Sequence, residues 1–270
     1  MKRKIKIYLC DFVHNYLGMC GIPVDLVSEF PSDSNTIFLA ESAKFDKDII
    51  KKIKGQLVDG KDVVITSGLL GALQGKGIED IAELEYTDKK AVIRDFVVGW
   101  FGAYQSEVDI VIPQIKYLTN DSWEEISCLA SGIGYPILHS AGYANGTLYV
   151  LTIPDNFGDL YNLPAEVLTR IKETLTRDLY VRLESRSQVA LFVYDNDTFI
   201  VESFLPESVE VRISVNKPNS KLLDVLSGEE LAGEAPPSRV FRVPGRGAGT
   251  NRRIFNIQIK PHSYRVFQCK

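Results

Sequence analysis

GYANGTLYVLTIP, residues 142–154, decides the fold. Its Asn145-Gly146 pair is a strong short-range hairpin signal, and the run Thr147 to Ile153 behind it is apolar and of strand length. Ten residues further on, Pro164 stands where the first residue of a helix belongs. Val167, Leu168, Ile171 and Leu175 then make one apolar stripe. A closing strand and a last helix therefore end an α/β domain near residue 178. Beyond it the apolar period changes from that of a helix to that of a strand.

Upstream, residues 4–9 alternate weakly as a strand would, and His14 to Met19 reads as a helix end stopped by Gly21 and Pro23. Ile22 to Val27 is a short strand. Thr36 to Ala40 is a continuous apolar run, the pattern of a strand covered on both faces. A helix follows, with Asp46 as its expected N-cap, Ile49, Ile50, Ile53 and Leu57 on one face, and Gly60 as its stop. Asp62 to Thr66 is the next buried strand. Strand, helix and strand joined by short loops make a βαβ unit and predict a parallel sheet with a right-handed crossover. Residues 67–108 give only a short helix near Leu69 to Leu73 and mixed segments such as 90–94. Asp109 to Ile112 is another apolar strand.

Downstream, Gln188 to Tyr194, Thr198 to Ser203 and Val209 to Val215 alternate with period two, and Asp195-Asn196-Asp197 turns the chain between the first two. Leu222 to Leu226, Ile254 to Ile259 and Ser263 to Gln268 continue the pattern. Short strands without a long helix indicate a β-sandwich. Gly228 to Asn251, with Pro-Pro and Gly-Arg-Gly, reads as a long loop.

The composition is that of a globular protein: 45% hydrophobic and 24% charged over 270 residues. A net charge of −4 gives no global pull toward nucleic acid or an anionic membrane, so neither is an expected partner. No apolar run approaches the roughly 18 residues of a membrane span. The cysteines Cys10, Cys20, Cys128 and Cys269 form no Cys-x-x-Cys pair and read as buried thiols. They leave the compartment open.

Residues 16–24 (YLGMCGIPV), the helix-Gly60-strand element over Asp48 to Thr66, and the closing strand at 142–154 resemble the glutamine-amidotransferase-like domain found inside glycoside hydrolases, notably the trimerisation domain of family 42 β-galactosidases. Residues 180–270, with the tail FNIQIKPHSYRVF (255–267), resemble the small C-terminal β domain that follows it. The resemblance implies a flavodoxin-like parallel sheet of the class I amidotransferase type over 1–178 and an all-β sandwich over 179–270. It implies an accessory, oligomerising region of a carbohydrate-active enzyme. In those enzymes a catalytic barrel precedes this region, so the chain is expected to be a fragment or a stand-alone relative. Implied partners are other copies of the chain, a glycoside hydrolase catalytic domain, or a glycan; no cofactor is expected.

The residues themselves offer little catalysis. Amidotransferase chemistry needs a Cys nucleophile on a strand-to-helix turn with a His and an acid behind it. The corresponding turn here, residues 65–69, carries Ser67, and His14, His139 and His262 form no His-x-Glu pair. A hydrolase triad of Ser67 with His139, oriented by Asp109 or Asp155, is the sharper enzymatic alternative. The plainer reading has Ser67 capping the following helix. Gly71 to Gly77 has the wrong spacing for a phosphate loop, and reads as a flexible turn. Cys10 with His14, and Asp195 with Asp197, are each too few ligands for a metal. Two surfaces remain for the alternative reading of the chain as a carbohydrate-binding module. One is the aromatic segment, with Trp100, Tyr104, Trp123 and Tyr143; the other is the Arg-rich loop, with Arg246, Arg252 and Arg253. Phe157 lies in a loop at a strand's C-terminal end, the edge where open α/β sheets place ligands.

Overall fold

The computed structural model describes residues 4–9, 12–99, 102–118, 122–218, 220–236 and 252–270. The α/β part begins β1 (Ile5–Tyr8), α1 (Val13–Met19), β2 (Val24–Val27), β3 (Thr36–Leu39), α2 (Ile49–Val58), β4 (Asp62–Thr66) and α3 (Ser67–Leu73). Four antiparallel strands follow: β5 (Leu84–Val98), β6 (Gly102–Tyr117), β7 (Ser122–Ala130) and β8 (Ile133–Tyr143). Then come β9 (Gly146–Leu151) and α4 (Ala165–Leu175).

These strands form one mixed nine-stranded sheet, ordered β2-β1-β3-β4-β9-β8-β7-β5-β6. Its parallel half, β2-β1-β3-β4-β9, follows the doubly wound order 2-1-3-4-5. Alternation along each strand feeds two cores. Phe38, Val64, Tyr149 and Leu151 face α1 and α4, whereas Ile37, Leu39, Val63, Ile65 and Val150 face α2 and α3.

The expectation of a parallel sheet needs correction, because the antiparallel strands β5 to β8 make up the other half. These strands curl, so that β6 returns to the loop after β9. The Asp155 N–H donates to the Val111 carbonyl at 2.9 Å, and Asp155 pairs with Lys90 at 2.8 Å. Register shifts at Tyr86/Lys90 and Ile93/Asp95 interrupt the β5–β6 ladder. Pro113 sits in β6, an edge strand that tolerates a missing N–H.

Three smaller expectations shift. Asp46 is not the N-cap of α2; Asp48 holds that position, and Asp46 accepts the Asp48 N–H at 3.0 Å. Pro164 lies just outside α4, its carbonyl accepting the Leu168 N–H. β1, the weakest strand in the sequence, sits inside the sheet between β2 and β3.

The C-terminal part consists of β10 (Val181–Glu184), β11 (Val189–Val193), β12 (Thr198–Ser203), β13 (Val209–Val215), β14 (Lys221–Asp224), β15 (Glu230–Ala232), β16 (Arg253–Ile259) and β17 (Ser263–Cys269). They form a three-stranded sheet β10-β13-β16 and a five-stranded sheet β11-β12-β17-β14-β15 around one core. β15 lies inside the segment expected to be loop; residues 237–251 of that segment are outside the described residues.

The two parts meet over a polar and apolar seam. Lys172 of α4 is fully buried and donates to the Ser185 carbonyl at 2.8 Å and to its hydroxyl at 3.2 Å. The Ser187 hydroxyl donates to the Tyr161 carbonyl at 2.7 Å, and the Thr36 hydroxyl to Asp178 at 3.0 Å.

Candidate functional site

In an open α/β sheet the ligand crevice lies at the C-terminal ends of the strands where the winding reverses, here between β1 and β3. The protein's own side chains occupy this position. The Tyr8 hydroxyl donates to the Asp46 carboxylate at 2.9 Å, and Lys52 donates to the same oxygen at 2.6 Å. The Lys52 ammonium also lies over the rings of Tyr8 and Phe30, at 5.8 and 5.5 Å. Burial pushes the Asp46 carboxyl up, but hydrogen bonds from Lys52, the Asp48 amide and Tyr8 outweigh it and hold the group below the usual carboxylate range. Burial and the Asp46 contact push the Tyr8 phenol up, so it stays protonated. The Ser42 hydroxyl donates to the carbonyl of Leu9, whose φ is +49°. This network neutralises its carboxylate and offers no activated nucleophile.

The other candidate reactive groups among the described residues are tied into the packing. Ser67 does not cap α3; the Thr66 hydroxyl does, accepting the Leu69 N–H at 3.2 Å. Ser67 is buried and its hydroxyl accepts the Ile153 N–H at 3.0 Å, which ties the β4–α3 turn to the end of β9. His139 is buried in β8, its ring 5.9 Å from that of Tyr117. Asp109 pairs with Arg94 and Asp155 with Lys90. Cys20 donates to the Leu160 carbonyl and Cys128 to the Tyr135 carbonyl, and burial pushes both thiols up to about 12. The loop at Gly75–Gly77 resembles an anion cradle that the chain fills itself: both glycine amides donate to the Glu79 carboxylate. Those bonds, the Gly75 amide first, hold that carboxyl below its ordinary range.

Among the described residues, the expected ligand surfaces are not brought together. Tyr104 packs against the core under α1 and α4, and Tyr143 against the opposite core under α2 and α3. Trp123 stands half-exposed on β7. Phe157 packs edge-on against Tyr16, at 5.7 Å. Arg252 donates to the Ser214 hydroxyl at 3.1 Å and Arg253 begins β16. Trp100, Arg246 and Cys10 lie outside the described residues. At Asp195–Asp197 the expected turn forms, with the Thr198 N–H on Asn196 and Lys217 on Asp197 at 2.8 Å. Among the described residues no cluster of three or more His, Cys, Asp or Glu side chains could hold a metal ion. A cleft of 80 Å³ between residues 79–83 and Ala141–Gly142 is below the roughly 300 Å³ of ordinary ligand pockets.

Sequence reasoning missed two features. Lys172 carries a side chain typical of solvent-facing helix positions, although its place one after Ile171 borders the buried stripe. Phe192, Tyr194 and Tyr264 occupy outward positions of period-two strands, where polar residues are usual; that alternation was the available signal.

A mixed α/β sheet in series with a β-sandwich defines the class of fold. Two family models match. Residues 4–156 match the second domain of the uncharacterized protein SSO3021, and the chain belongs to that family. Residues 180–269 match the model described as the C-terminal domain of probable glycosyl hydrolases. No curated protein sequence matches the chain. Among solved structures, a catalytic mutant of Gan42B, a GH42 beta-galactosidase from G. stearothermophilus, superposes with a TM-score of 0.56 at 13% identity, over 100% of this chain and 41% of that one. The beta-galactosidase of Rahnella sp. R3 gives 0.55 at 10% identity, over 100% and 41%. Alpha-L-fucosidase isoenzyme 2 from Paenibacillus thiaminolyticus gives 0.56 at 13%, over 99% and 49%. The likeness is one of fold, and the chain spans about two-fifths of the length of the galactosidases.

Proposed function

We propose that the chain is an accessory region associated with glycoside hydrolysis. An amidotransferase-like domain of the trimerisation type (1–178) and a sandwich (179–270) hold copies of the chain, or a glycoside hydrolase catalytic domain, in place and turn over no substrate themselves. The observation that carries this reading is the superposition of the whole chain, both parts in series, on two-fifths of a beta-galactosidase. The engagement of Ser67, Cys20 and Cys128 in backbone hydrogen bonds supports it. The outer face of the antiparallel strands supplies contact surface. Val92 and Leu129 point away from the helix-covered core and are each about half exposed.

Light scattering after size-exclusion chromatography tests the reading. A stable oligomer is expected, weakened by Val92→Glu with Leu129→Glu. Monomers at every concentration would remove the assembly role.

A further inference from the structure

The outer face of the five-stranded sheet carries a group of apolar side chains among the polar ones, such as Glu202 and Gln268, with which a sandwich ordinarily meets water. Cross-strand pairing places Phe192 of β11 beside Ile200 of β12 and Ile200 beside Val266 of β17. One step along, Tyr194 leads into the turn to Thr198, at the rim of the same face. Tyr264 lies on the far side of Val266. Phe192, Tyr194 and Tyr264 are 42%, 47% and 53% exposed. Tyr194, Asp195, Asn196 and Thr198 border a shallow, open depression at this rim, so an aromatic ring stands beside carboxylate, amide and hydroxyl groups.

The size of the patch selects its occupant. Strands lie about 4.8 Å apart and rise about 3.4 Å per residue, so three strands and two steps cover on the order of 100 Å². A stable protein interface needs about 800 Å² per partner. The patch is too small to hold a second copy, and right for a short ligand with an apolar face and polar edges. A pyranose ring has that form: its C–H face packs on an aromatic ring while its hydroxyls reach hydrogen-bonding side chains.

We infer that this face binds a neutral glycan chain, with Tyr194 and Phe192 as stacking platforms and the Asp195–Thr198 turn reading the hydroxyls. The site is distinct from the Trp123 surface on β7, and it stands whether or not the chain assembles into oligomers.

Affinity electrophoresis of the full chain, in native gels cast with soluble galactan, xylan or hydroxyethylcellulose, tests it. Retardation in at least one gel is expected, with Tyr194→Ala and Phe192→Ala each lowering affinity about tenfold or more. Tyr194→Phe keeps the ring and should retain most of the binding, which separates stacking from misfolding. Trp123→Ala should bind as the parent does. Unretarded parent protein in all three gels would overturn the inference, as would retardation unchanged in both alanine variants. A Tyr194→Ala variant that loses mass in light scattering, without loss of glycan binding, would reassign the face to contact between copies.

Discussion

The buried Lys172 ammonium donates to the Ser185 carbonyl at 2.8 Å, joining the last helix of the α/β part to the loop before β11. Burial lowers the Lys172 pKa to about 8, against a smaller opposing pull from Glu184. The folded state therefore holds this proton less tightly than the unfolded chain does. Below pH 8 the amine is charged in both states, and its burial carries a constant cost. From about pH 8 upward the folded protein releases the proton first, so that cost is relieved and stability rises until the unfolded amine titrates too. Lys172→Met removes the titration. Urea unfolding at pH 7 and pH 9.5 should show the parent gaining about 2 kcal/mol relative to the variant, at 1.36 kcal/mol per pH unit above 8. A difference independent of pH would mean that Lys172 stays charged when buried.

Gly21 sits across the same seam with φ of +82°, and an added Cβ would lie 2.9 Å from the Val189 carbonyl oxygen of β11. Both the left-handed backbone and the close approach exclude a side chain. Gly21→Ala should cost at least about 2 kcal/mol, combining strain with a displaced domain contact. Thermal unfolding should show the loss, and because the seam is shared the variant should expose the sandwich to proteolysis earlier than the parent.

The parallel half of the sheet was legible because each strand faces helices on both sides. Thr36 to Leu39 and Asp62 to Thr66 are apolar or buried throughout, and local sequence alone marks them. β5 and β6 were not legible. Asp88, Lys89 and Lys90 stand exposed where the β5–β6 register slips between Tyr86 and Lys90, so no single period runs through the strand. Their pairing depends on residues far apart in the chain, such as Phe96 with Cys128. Candidate sites fared similarly. Ser67 and His139 have the right side chains for chemistry, but their burial and partners follow from long-range packing that composition and spacing do not carry.

Two glycines of the 142–154 segment separate backbone need from mere permission. Gly146 has ordinary φ, but an added Cβ would meet the Lys61 carbonyl and the Leu57 backbone at the end of α2. Asn145 donates to the Val58 carbonyl at 3.0 Å and holds the two segments close together. Gly142, four residues earlier, has nothing within 4 Å of the same position. Gly146→Ala should lose stability at the upper end of the roughly 1–3 kcal/mol that overpacking costs. Gly142→Ala should change it by less than about 0.5 kcal/mol. Chemical denaturation of the two variants side by side checks the contrast.

Ser67 offers the most direct test of structure against chemistry. Its hydroxyl accepts the Ile153 N–H in the interior, so Ser67→Ala leaves a buried donor without its partner, at a cost of about 1–3 kcal/mol. Thr66→Ala, next to it, removes the helix cap and should cost about 1 kcal/mol. Both losses should appear in denaturation midpoints. Neither variant should change turnover of an activated ester, since a hydroxyl engaged with a backbone amide and closed off from solvent is no nucleophile. Ester hydrolysis by the parent that disappears in Ser67→Ala while Thr66→Ala retains it would instead assign Ser67 a catalytic role, and the accessory reading of the α/β part would fall.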